Sequence, residues 1–154
     1  ALVEGTGERV TALGLAPPWW VVLVVPEVHV ATGAAYAALD EARATVPTPT
    51  RPRAGSATVL CGEALQRADY ERVLATMTND FEPIVRAINP AVDAVLDALA
   101  EAGAPRRAML SGSGGACFAL FEREDDARRF ATHLRLPDTA HVHVVPFATS
   151  GAWR

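Results

Sequence analysis

The apolar residues of this chain fall into two kinds of pattern: short runs of strand length, and longer stretches with helical spacing. The densest run, WWVVLVV at 19–25, is rich in β-branched side chains and bounded by prolines, which predicts a buried strand. A weaker alternation over 8–13 predicts an edge strand. Runs at 106–111, 116–122 and 141–147 predict three more strands, with the connector 112–115 between the first two. Thr32 stands before an alanine-rich stretch and is expected to cap a helix over 33–43. The proline-rich segment 45–57 reads as an exposed loop. Glu63 to Ala68 is expected to form one turn, and Asp69 to cap a helix beginning at Tyr70. NDFEPIVRAI restarts a helix after Thr78, with Pro83 in its first turn. Asn89 is expected to cap a helix over 90–102 whose Val92, Val95, Leu96 and Leu99 share one face, ended by Gly103 and Pro105. Ala127, Phe130, Ala131 and Leu134 repeat that spacing in a helix over 124–134. Neighbouring strands without helical crossovers point to an α+β fold, an antiparallel sheet with helices on one face.

Composition narrows the function classes. The chain has 154 residues, half of them apolar, and a net charge of −4, so a core is affordable and no basic field points to nucleic acid. Cys61 and Cys117 have no metal-binding spacing and suggest a reducing, cytoplasmic setting. The longest apolar run is too short to span a bilayer, so no membrane partner is expected. ALVEGTGERVTAL opens without Met like a strand already under way. The chain is therefore expected to be part of a longer protein.

The chemistry-bearing candidates are few. Ser111, Gly112, Ser113, Gly114 and Gly115 leave backbone N–H groups unshielded, which suits either an anion-binding nest or an ordinary hairpin loop. No Lys-Ser or Lys-Thr follows them, so this is not a P-loop, and a strand follows where a dinucleotide fingerprint needs a helix. Asn79, Asp80 and Glu82 could suggest acid–base work but read more simply as a capping arrangement. His141 and His143 alternate on one strand with no third metal ligand in view. His29 lies near Thr32 without further support. Cys117 reads as a small buried residue, and Trp19, Trp20 and Trp153 as core or interface.

LSGSGGACFALF resembles the third conserved motif of the GHMP small-molecule kinases. EGTGERVTAL, WVVLVVPEVHVATGAAY, NDFEPIVRAINPAVDAVLDAL and EDDARRF resemble, in order, segments of the 4-diphosphocytidyl-2-C-methyl-D-erythritol kinase family within that group. The resemblance implies a C-terminal kinase domain of ferredoxin-like sandwich type over 19–154, with 1–18 the tail of an N-terminal domain or an edge strand. It implies a two-domain enzyme working at the cleft between its domains, which transfers phosphate from ATP, with Mg²⁺, to a hydroxyl of a small-molecule substrate. Thr32 would face the acceptor hydroxyl, and Ser111 to Gly115 would hold phosphate of the nucleotide or the substrate. The family's phosphate loop, lysine and catalytic aspartate have no counterpart here, and the chain contains no lysine. By itself it is expected to be inactive without that N-terminal half, and a homodimer is possible. The alternatives are another GHMP kinase, of homoserine, mevalonate or sugar type, or a free-standing α+β ligand-binding module. On the kinase reading, the glycine connector should present its amides at an open cleft within reach of Thr32 instead of closing a hairpin, and apolar side chains should be bare nearby.

Overall fold

The computed structural model describes residues 1–13, 17–28, 30–44, 56–101, 105–136 and 139–147. Its elements are β1 (Leu2–Glu4), β2 (Arg9–Thr11), β3 (Trp20–Val25), α1 (Thr32–Ala44), α2 (Ala57–Gln66), α3 (Tyr70–Thr76), α4 (Glu82–Ile88), α5 (Pro90–Glu101), β4 (Arg107–Leu110), β5 (Cys117–Phe121), α6 (Glu124–His133) and β6 (His141–Pro146). They fall into two compact units, one holding β1, β2, α2 and α3, the other holding the rest.

The larger unit is an antiparallel sheet of order β4-β5-β3-β6 with helices packed on it, the α+β class the pattern predicts. The register explains which residues meet. Val24 pairs with Cys117 and Val142, and Val22 with Ala119 and Val144; Leu110 pairs with Cys117 on the other side. Because side chains alternate across a strand, these positions share one face. That face is covered by Val92, Val95, Leu96 and Leu99 of α5, Ala127 and Phe130 of α6, Val85 of α4 and Ala35 of α1, all buried in one cluster. The helical spacing read on α5 and α6 is thus the spacing that fills the core. Phe121 and Phe130 anchor it with ring centroids 4.9 Å apart, and burying a side chain of that size stabilises by roughly 1.5–3 kcal/mol.

In the smaller unit, β1 and β2 pair antiparallel, Val3 opposite Val10. Here the structure adds to the sequence reading: residues 2–4 are a strand of their own. The single turn expected at Glu63 to Ala68 is in fact the end of a ten-residue helix, α2. It starts where Ser56 accepts a hydrogen bond from the Val59 amide at 3.4 Å, inside the stretch read as loop; residues 45–55 of that stretch lie outside the described residues. Gly62, a poor helix former, masks the pattern. Asp69 caps α3 through the Arg72 amide at 3.1 Å, as expected. In the larger unit Asn89 caps α5 through the amides of Ala91 and Val92.

Candidate functional site

The glycine connector joins β4 to β5 as a hairpin. The Ser111 amide donates to the Ala116 carbonyl at 2.8 Å, so the expectation that the stretch avoids closing a hairpin is overturned. Gly112 turns the chain with φ 66°, a conformation that costs an L side chain about 1–2 kcal/mol. Gly115 is needed for another reason. A Cβ there would lie 3.1 Å from Val28, 3.4 Å from Val30 and 3.6 Å from Val92. Gly114 has neither constraint: its φ is not positive and nothing lies within 4 Å of a built Cβ. Among the described residues, the amides of Gly112, Ser113, Gly114 and Gly115 donate no hydrogen bond within the protein. Hairpin and nest are therefore not alternatives here, since the turn closes at Ser111 and leaves the next amides without a protein acceptor.

The loop is held from outside itself. Asn79 Nδ2 donates to the Leu110 carbonyl at 3.0 Å and to the Gly112 carbonyl at 2.8 Å, while its Oδ1 accepts from the Phe81 amide at 2.9 Å. Glu82 Oε2 accepts from the Leu110 amide at 2.8 Å. The capping reading of Asn79, Asp80 and Glu82 holds for Asn79, whose Oδ1 takes the Phe81 amide and whose carbonyl takes the Glu82 amide at 3.1 Å just ahead of α4, and is corrected for Asp80 and Glu82. The residue at the cap position of α4 is Phe81, with no side-chain cap bond, and Glu82 reaches across to β4 instead of back to its own helix. Asp80 pairs with Arg43 of α1 at 2.5 Å. In sequence, an Asn three residues before a Glu looks like a capping box; only the folded chain shows the strand those side chains meet.

Thr32 is the first residue of α1, and its expected role as cap is corrected too. The Ala31 carbonyl accepts from the amides of Ala34 and Ala35 at 2.9 and 3.1 Å, which makes Ala31 the cap. Thr32 is exposed, so its hydroxyl is not spent on capping. The connection from β3 to α1 carries Val28 and Val30, the residues that flank Gly115, and so the segment leading into Thr32 packs on the glycine hairpin. Tyr36, one turn beyond Thr32, is 51% exposed and is the large apolar side chain bare on that helix.

The other candidates stay structural. Cys117 is buried in the core, and burial pushes its thiol up to about 12, with the Glu82 carboxylate adding to the effect and Arg86 opposing it; a thiol held neutral is no nucleophile. The Arg86 guanidinium is raised, first by its hydrogen bond to Asp97, against the cost of burial and with help from Asp93. His141 and His143 are exposed on β6, Trp19 is buried and Trp20 packs against the core. His29 and Trp153 lie outside the described residues. Among the described residues no group of three or more His, Cys, Asp and Glu side chains could hold a metal ion, and no helix is long and apolar enough to cross a membrane. A cavity of about 390 Å³ lies elsewhere, between Arg106, Phe121, Glu122, Arg129 and His133.

Residues 63–137 match the family described as GHMP kinases C terminal. Curated relatives include the 4-diphosphocytidyl-2-C-methyl-D-erythritol kinases of Citrifermentans bemidjiense, 38% identical over 87% of this chain and 43% of the relative, and of Exiguobacterium sibiricum, 32% identical over 88% and 44%. The chain thus spans less than half the length of these relatives. Among solved structures, a 4-(cytidine 5'-diphospho)-2C-methyl-D-erythritol kinase aligns with a TM-score of 0.63 at 29% identity, covering 94% of this chain and 48% of that one. A mevalonate kinase from L. major aligns at 0.62 and 16% identity, over 92% of this chain and 46% of that one, a likeness of fold alone. The antiparallel sheet and these matches agree: residues 63–137 carry the C-terminal domain of the GHMP kinases, and the chain is similar to the C-terminal part of 4-diphosphocytidyl-2-C-methyl-D-erythritol kinases.

Proposed function

We propose that these residues form the C-terminal part of an ATP-dependent kinase that phosphorylates a hydroxyl of 4-diphosphocytidyl-2-C-methyl-D-erythritol, a step of non-mevalonate isoprenoid precursor synthesis. The substrate class rests on the curated relatives. The role of this chain rests on one observation, the run of amides from Gly112 to Gly115 that have no protein acceptor. In the transfer, the acceptor oxygen bonds to the γ-phosphorus as the bond to the ADP oxygen breaks, and the acceptor proton passes to a base. Catalysis of such a step is mostly positioning and charge stabilisation. Amides fixed on a hairpin supply that stabilisation to a nucleotide or substrate phosphate without a lysine. Thr32, exposed at the start of α1, would face the acceptor hydroxyl. Mg²⁺ would accompany the nucleotide, bound largely through its phosphates, and no step here depends on it. The domain carrying the remaining machinery would be a partner supplied by the rest of the protein.

The test is steady-state kinetics on the full-length protein with ATP and the cytidine-diphosphate-linked alcohol, comparing wild type with Gly114→Val. Gly114 is open and has no positive φ, so the melting temperature should hold. A blocked approach to the amides should lower kcat/KM by roughly 10²–10³-fold, as loss of an oxyanion donor does. Normal kinetics in a folded variant would remove the phosphate role. Transfer to mevalonate or homoserine in place of the cytidine-bearing alcohol would move the enzyme to another branch of the family.

A further inference from the structure

We propose that Asn79, Asp80, Phe81 and Glu82 form a bracket that fixes the glycine hairpin to the element bearing Thr32, with Asn79 as the positioning residue for the hairpin's phosphate contacts. This rests on the phosphate reading of the hairpin given above. The four residues divide their work between two destinations. Asn79 and Glu82 hold the hairpin stem, at both the amide and the carbonyl of Leu110 and at the carbonyl of Gly112. Asp80 and Phe81 hold α1, through Arg43 at 2.5 Å and through an edge-on contact with Tyr36 at 4.7 Å between ring centroids. Two elements far apart in sequence are thereby referred to a single turn of chain.

The strengths of the contacts decide which residue matters most. The Arg43–Asp80 pair is exposed, 43% and 65%, and such pairs contribute little. Asn79 is half-buried and uses both donors and its acceptor. The loop it holds is built of glycine and serine, whose backbone freedom is large when unrestrained. Pinning the carbonyl of Gly112, the first residue of the turn, restricts that freedom before a phosphate arrives, and preorganised donors are the ones that stabilise developing charge.

The experiment is a double-mutant cycle on the full-length protein, reading kcat and KM beside the melting temperature. Asn79→Asp keeps an acceptor for the Phe81 amide, so α4 starts as before, but it turns an oxygen toward the two carbonyls and loses the donors. It should lower kcat/KM by at least about tenfold, since even one lost hydrogen bond is worth about that much and two are lost here. Combined with Gly114→Val it should add nothing further, because both act through the same loop. Glu82→Ala, which releases the Leu110 amide, should behave alike, and Glu82→Gln, which keeps an acceptor there, should recover most of the loss. These second variants carry the test if Asn79→Asp does not fold. Losses that multiply with Gly114→Val, or normal kinetics in Asn79→Asp and Glu82→Ala, would overturn the bracket while leaving the phosphate loop standing. A silent Gly114→Val would instead remove the phosphate reading, and the bracket's role with it.

Discussion

Two glycine-rich turns in this chain do opposite things with their amides. The first, Gly5-Thr6-Gly7-Glu8, joins β1 to β2 and carries its own anion. Glu8 Oε2 accepts from the Thr6 amide at 2.6 Å and from the Thr6 hydroxyl at 3.0 Å, and the Gly7 amide donates to the Glu4 carbonyl at 3.4 Å. The carboxylate folds so far over the turn that a Cβ at Gly5 would lie 1.9 Å from it. The second turn, Gly112-Ser113-Gly114-Gly115, has no carboxylate of its own, donates none of these amides to the protein among the described residues, and is held from outside by Asn79. Glycine content does not separate the two. What separates them is whether a carboxylate of the turn itself takes up the turn's amides.

The comparison can be broken most directly by making the second turn resemble the first. Gly114→Glu places a carboxylate where space is open, beside the free amides. In the full-length protein this variant should lose at least about 10²-fold in kcat/KM, since an internal anion competes for the donors that a phosphate needs, while the melting temperature should not fall. Full activity in that variant would mean that the free amides face no phosphate at all.

A smaller effect separates packing from chemistry within the second turn. Gly115 and Gly114 are neighbours in sequence, but only Gly115 lies against Val28, Val30 and Val92. Gly115→Val should therefore overpack that junction and cost roughly 1–3 kcal/mol, read as a lower melting temperature by about 2–4 °C for each kcal/mol in a domain of this size. Gly114→Val should melt like the wild type. Equal melting temperatures for the two variants would show that the valine contacts yield without cost.

These residues also show how far sequence carries. The sheet and the α5 and α6 faces were legible because burial repeats with the element's own period, so Val92, Val95, Leu96, Leu99, Ala127 and Phe130 announce their side of the helix. Helix α2 was not, because Gly62 and the proline-rich approach imitate a loop. The glycine hairpin was legible as an anion-binding candidate, because residue type alone decides whether amides are shielded. Its support was not legible. Asn79 and Glu82 carry the local spacing of a helix cap, and beyond the local bond from the Phe81 amide to Asn79 their partners, Leu110 and Gly112, lie about thirty residues away. Thr32 failed as a cap by one position, because the Ala31 carbonyl can begin a helix without any side chain.

The gentlest test addresses the first turn. Hydrogen bonds from the backbone of Glu8 and of Thr6, then from the Thr6 hydroxyl, hold the Glu8 carboxyl below its ordinary 4.5. A carboxyl whose folded value is lowered supports its structure at pH above the ordinary value, and that support is lost as pH falls through the lowered one. Because Glu8 is fully exposed, the consequence is local. Carboxyl-carbon NMR of this chain should show Glu8 titrating below 4.5, and the Thr6 amide shift should follow the same midpoint. Thr6→Ala removes the hydroxyl donor and should move the midpoint part of the way back up, leaving the melting temperature at neutral pH nearly unchanged, as is usual for exposed positions. A Glu8 midpoint at or above 4.5 would show that the first turn leaves its carboxylate to solvent, and the contrast with the second turn would then rest on the glycine hairpin alone.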